Sequence, residues 1–160
     1  MRAMAYALLI AVLAAAAPLF AIGSESWWGL APCELCLWQR WPYWAAAALA
    51  LLGAVVPGRG RAVLIGLAGL AALVSAGTGV LHVGVEQGWW PSPLPGCAAP
   101  TAGAAASIDD MMRSLAAAPN KPCDAATYLI PGVPLSMAGM NVIYGLALGV
   151  LALWVARRRG

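Results

Sequence analysis

The chain reads as four long apolar stretches separated by short polar ones. Uncharged runs cover residues 3–24, 41–58, 62–85 and about 135–156. Each is close to the roughly 20 apolar residues that a helix needs to cross a hydrocarbon core about 30 Å thick. The second run extends upstream across Arg40 to the turn at Cys33 and Cys36. Pro131 and Pro134 stand ahead of the last run as markers of a helix start. The pattern predicts an all-α protein, an integral membrane four-helix bundle forming one domain over residues 1–160. Its spans are expected at about 4–23, 36–56, 62–85 and 135–156, with outer loops at about 24–35 and 86–134.

Two segments carry a second reading. Met1-Arg2, an Ala/Leu run and the small residues at 21–24 also have the features of a secretory signal. The length of that run and the three spans behind it favour a retained first helix. In the second outer loop, Ser107 before Asp109 and Asp110 reads as a helix N-cap. Ile108, Met111, Met112 and Leu115 follow at i, i+3, i+4 and i+7. The short amphipathic helix expected there could lie on the membrane surface or pack on the bundle.

Composition removes the competing classes. The chain is 62% hydrophobic and only 9% charged, against roughly 25% charged residues in soluble domains. Disorder is excluded, because disordered chains are poor in apolar residues. The net charge of +3 acquires meaning from its distribution. Arg2, Arg59, Arg61 and Arg157 to Arg159 fall on one side of four alternating spans, with no acid beside them. Glu25, Glu34, Asp109, Asp110 and Asp124 fall on the other side, with Glu86 at its border. Arg-rich short loops stay cytoplasmic, so both termini are expected inside a bacterial inner membrane. The charge therefore signals topology and lipid, not nucleic acid. Trp27, Trp28, Trp38, Trp41, Trp89 and Trp90 gather at the outer edges, as interfacial aromatic belts do.

All four cysteines fall on the outer side, which in a bacterium is the oxidising periplasm. Cys33 and Cys36 form a C-x-x-C behind Pro32, which suits the first turn of a helix. Unsatisfied N–H groups and the helix dipole there favour a thiolate, the form that attacks disulfides. A static brace is the weaker reading, since so short a loop gains little from closure. Arg40, placed to share a helix face with both, could lower a thiol pKa, hold a cofactor oxygen, or merely snorkel to the interface. Cys97 and Cys123 lie among Gly, Pro and Ala in the long loop, as exchange partners or as a staple. Zinc is not expected, because only one short ligand spacing exists. His82, the single histidine, and Glu86 one turn later could form a polar patch near a cofactor, or an ordinary hydrogen-bonded interior pair.

Together these residues resemble the DsbB (disulfide bond formation protein B) family. The matching segments are Pro32 to Arg40, then Leu81 to Pro93 leading to Cys97, and lone Cys123. Vitamin K epoxide reductase relatives share the chemistry but carry the C-x-x-C late in the bundle. The resemblance implies a thiol oxidase with Cys33, Cys36, Cys97 and Cys123 as redox residues. Its partner would be a DsbA-like periplasmic oxidase of thioredoxin fold, joined in its reduced form to Cys97 as a mixed disulfide. Cys123 would pass the electrons to Cys33. Cys36 would make a charge-transfer contact with ubiquinone or menaquinone, and Arg40 would sit at a quinone oxygen. His82 and Glu86 join the expected cofactor-binding set, with Trp38 and Tyr43 as further neighbours. The alternative is a four-helix structural or transport protein with two static disulfides. Transporters place polar sites near mid-membrane, and the third and fourth spans carry almost none.

Overall fold

The computed structural model describes residues 2–94, 97, 108, 121–130 and 132–159. Among them the chain is helical: α1 (Arg2–Trp28), α2 (Glu34–Trp38), α3 (Arg40–Val55), α4 (Arg59–Glu86) and α5 (Met137–Arg159). One antiparallel bridge, Tyr128 to Ser136, is the only strand-like pairing among the described residues. The loop helix expected after Ser107 lies outside the described residues, apart from exposed Ile108.

α1, α4 and α5 are each long and apolar enough to cross a membrane. α3 has 16 residues, a rise of roughly 24 Å, and on its own falls short of the other three.

Two boundaries differ from the expectation, each for a local reason. The first helix was expected to end near residue 23, but α1 continues to Trp28. Nothing in 24–28 breaks it, and the Ser24 and Ser26 hydroxyls donate back to the Ala21 and Ile22 carbonyls. It stops at Gly29, whose φ of 64° a side chain would disfavour. Glu25 therefore sits on a helix rather than in a loop. The second span was expected as one helix from Cys36, but it is two pieces joined at Gln39. Pro42 explains the joint: its ring excludes the carbonyl four residues back, that of Trp38, and it has no N–H to donate. Pro32 stands not in the first helical turn but one residue ahead of the N-cap, Cys33.

Packing is dominated by small side chains. Buried Ala7, Ile10, Ala11 and Ala14 on α1 face Tyr43, Ala46, Ala47 and Ala50 on α3, each set spaced i, i+3, i+4, i+7. Ile65, Ala68 and Ala72 of α4 and Leu148, Ala152 and Val155 of α5 complete this core. With alanine and glycine at the seams, backbones can approach closely, which is how helices associate where no hydrophobic force separates them from lipid. A Cβ on Gly69 would lie 3.1 Å from the Gly149 carbonyl oxygen. α1 packs on α3, α3 on α4 and α4 on α5, whereas α1 and α5 share only a thin seam. The outward faces carry Val12, Leu51, Val55, Val74 and Val150, all exposed, as an apolar solvent allows.

Candidate functional site

A cavity of about 430 Å³ opens at the thin α1–α5 seam, toward the end of the bundle that holds the cysteines. Its walls are mostly apolar, with Pro18 and Phe20 from α1 and Met137, Met140 and Tyr144 from α5. The polar part of its lining includes Cys33, Cys36, Gln39, Arg40, His82 and Glu86. The structure thus places Cys36, Arg40, His82 and Glu86, the cofactor-binding candidates read from the sequence, around one cavity. Tyr43 and Glu86 line the cavity, while Trp38 does not and is exposed.

Cys33 is the N-cap of α2, and its Sγ accepts from the Cys36 N–H at 3.3 Å. This is the usual place of a serine or aspartate oxygen, so the helix end that needs an acceptor is finished by the sulfur itself. The Cys33 and Cys36 thiols are free and lie 2.8 Å apart, Cys33 donating to Cys36. That bond pulls the two apart in acidity. α2 lies outside the three helices long and apolar enough to cross a membrane, and there the hydrogen bond to Cys36, reinforced by burial, pushes the Cys33 thiol up. The same bond, with the Cys33 backbone N–H and the Arg40 charge behind it, outweighs burial and brings Cys36 down to about 7.

Cys97 and Cys123 are joined as a disulfide. They are buried in one cluster with Cys33, Leu35 and Val85, against which Cys36, Leu81 and Leu94 pack. All four sulfurs therefore belong to a single packed unit, although the sequence left the pairing open. Cys33 Sγ lies 3.5 Å from His82 Nε2, and that nitrogen also reaches the Cys123 carbonyl oxygen at 3.2 Å.

Arg40 opens α3 and pairs with Glu25 of α1 through Nη2. Its Nε is buried with no hydrogen-bond partner among the described residues. A desolvated guanidinium N–H without an acceptor is costly, and this one belongs to a cavity-lining side chain. Glu86 stands 3.9 Å from His82 Nε2 and accepts from the Ser136 hydroxyl. The sulfurs of Cys33 and Cys36 and His82 Nε2 lie within 4.8 Å of one another, a donor set that a soft metal ion could use. His82 Nε2 is already engaged with the Cys123 carbonyl.

Sequence reading missed a group of polar residues deeper in the bundle. Gln39, Ser75, Tyr43 and Asn141 form a hydrogen-bonded network from three helices and the α2–α3 joint. Ser75 and Asn141, isolated in apolar runs, match no motif, while Gln39 was read only as part of the matching segment and Tyr43 only as a neighbour of the cofactor. The available signal was their position, since a polar side chain inside a membrane span by default asks for a partner or a function.

The profile of the family described as Disulfide bond formation protein DsbB matches residues 3–155. No curated protein matches the chain, and neither does any solved structure.

Proposed function

The chain belongs to the DsbB family of membrane proteins for disulfide formation, and from that premise we propose that it is a thiol:quinone oxidoreductase. In this reading it reoxidises a DsbA-like periplasmic dithiol oxidase and delivers the electrons to ubiquinone or menaquinone. One domain of four crossings, with both termini in the cytoplasm and the cysteines facing the periplasm, gives both partners access. The observation that carries the reading is the packed cluster of buried Cys33, Cys97 and Cys123 with partly buried Cys36 against it, at an apolar cavity where Arg40 Nε has no partner among the described residues.

The steps on this chain are thiolate–disulfide exchanges. A partner thiolate bonds to Cys97 as the Cys97–Cys123 bond breaks and Cys123 leaves as a thiolate. The partner's second thiol, on losing its proton, displaces Cys97, and the partner departs oxidised. With Cys33 and Cys36 in their disulfide form, the Cys123 thiolate bonds to Cys33 and Cys36 leaves. Closure of Cys97 onto Cys123 then frees Cys33. The result is the arrangement described above, with the loop pair joined and the helix pair reduced. A bound quinone supplies the sink for two electrons and two protons. Cys36, at about 7 the more acidic thiol of its pair, faces that sink as thiolate. Arg40, whose Nε has no partner among the described residues, would hold a bound quinone by an N–H, and the apolar walls would keep water from the sulfurs.

The test uses purified protein in detergent, mixed with reduced DsbA and a soluble quinone, with quinone absorbance followed in time. The reading expects loss of absorbance with wild type and none with Cys33→Ala. No loss with wild type, or equal loss with the variant, contradicts it. A protein with two static disulfides would behave identically with and without the reduced partner.

A further inference from the structure

The polar network beneath the cysteines has a direction, and the direction can be read from its fixed ends. The Ser75 backbone carbonyl can only accept, and Asn141 approaches it at 3.1 Å. The atom doing so must therefore be the amide nitrogen, Nδ2. That leaves Oδ1 to accept from the Tyr43 hydroxyl at 2.8 Å. The second N–H of Asn141 Nδ2 points to Gln39, 2.7 Å away, so the Gln39 atom there is Oε1. Gln39 Nε2 then faces His82 Nδ1 at 2.9 Å and donates to it. A nitrogen that accepts carries no proton, so the proton of neutral His82 resides on Nε2. The far end agrees independently: Nε2 lies 3.2 Å from the Cys123 carbonyl, another group that can only accept.

We propose that Gln39 and Asn141 are positioning residues that hold His82 as the Nε2–H tautomer, making it a standing donor where the two cysteine pairs meet. From that position the N–H bonds the backbone of Cys123 and faces the sulfur of Cys33 at 3.5 Å. It docks the loop pair against the helix pair. An N–H aimed at a sulfur favours negative charge there, so the donor serves whichever of its two acceptors needs it as exchange proceeds. Nε2 in this tautomer has no lone pair to give, so His82 is neither a base toward Cys33 nor a metal ligand through that nitrogen. The consequence for exchange rests on the relay proposed above, whereas the tautomer itself does not.

The chain has one histidine, so the test is unambiguous. Protein labelled with ¹⁵N-histidine in detergent micelles gives one pair of ring resonances. The wild type is expected to show a protonated Nε2 and an unprotonated Nδ1. A protonated Nδ1, a doubly protonated ring, or averaged shifts from exchanging tautomers overturns the proposal, and this arm needs no variant to fold. Gln39→Leu and Asn141→Leu, checked for fold by helix content and cavity-probe binding, are expected to give averaged shifts; an unchanged spectrum in both contradicts the lock. In stopped-flow measurement of transfer between the cysteine pairs, Gln39→Leu should slow exchange by roughly 10-fold, as loss of an orienting partner does. It should slow it no further in a His82→Phe background, and an additive loss there contradicts action through His82. A chain with the Nε2–H signature that never consumes quinone keeps the tautomer assignment and loses the relay.

Discussion

The two ends of the bundle solve the same problem with different chemistry. At the end where α3 turns into α4, the helices meet through Ala54, Ile65, Ala68, Ala152 and Val155, and apolar contact holds them with one side-chain hydrogen bond beside it, from Arg61 Nε to the Gly53 carbonyl. At the other end Gln39, Ser75, Asn141 and His82 replace that contact with hydrogen bonds, and the cysteines sit above them. Glycines allow the first end to close to backbone contact, whereas the second keeps a cavity of about 430 Å³. The lesson is a division of labour. The tight end supplies stability, which lets the open end hold desolvated polar groups and space for a ligand.

If that division is right, substitutions at the two ends should fail in different ways. The largest effect is expected from Cys36→Ser. Quinone reduction should vanish, while a mixed disulfide between Cys97 and the reduced partner still forms and is visible on a non-reducing gel. Next comes Arg40→Gln, which removes a charged hydrogen-bond donor worth about 1.5–3 kcal/mol. The KM for quinone should rise about 10- to 100-fold, read from initial rates, with the thermal midpoint little changed. At the tight end, Gly69→Leu drives a side chain into the α5 backbone, where a Cβ alone comes to 3.1 Å. It should cost about 1–3 kcal/mol of stability in a denaturation series, with the rate per folded molecule retained.

A pH series sharpens the contrast within the open end. Cys36 is lowered to about 7 and Cys33 is raised. Thiolate grows as pH rises through the pKa, so alkylation of Cys36 in the reduced protein should reach half its maximal rate near pH 7. At that pH its thiolate fraction exceeds that of an ordinary cysteine by roughly tenfold, and Cys33 should react only at much higher pH. Mass spectrometry of the alkylated peptides separates the two. The smallest effect is expected from Ser75→Ala, which deletes the hydroxyl's bond to the Gln39 carbonyl at 2.8 Å and the longer one it accepts from Asn141 Nδ2 at 3.4 Å. Such a bond between membrane helices averages about 0.6 kcal/mol, so the stability loss should approach the limit of measurement.

How far the sequence reached follows the same division. The helices were legible because lipid demands long uncharged runs, and nothing else in a chain looks like residues 62–85. The cysteines and Arg40 were legible because their chemistry is rare in apolar surroundings. The joint at Gln39 was not read, although Pro42 was in plain view, because the apolar run across it outweighed a single ring. Asn141 and Ser75 were hidden for a different reason: each is one polar residue in a long span, and its meaning comes from the helix it meets. The extension of α1 to Trp28 likewise hid the pairing of Glu25 with Arg40.

Direct exchange between the two cysteine pairs is the claim on which the relay depends, and it can be isolated. Replacing Cys36 and Cys97 together by serine leaves only Cys33 and Cys123. After mild oxidation with oxidised glutathione, peptide mass spectrometry should find these two joined within one chain. Free thiols at both positions, or bonds only between chains, would contradict the relay.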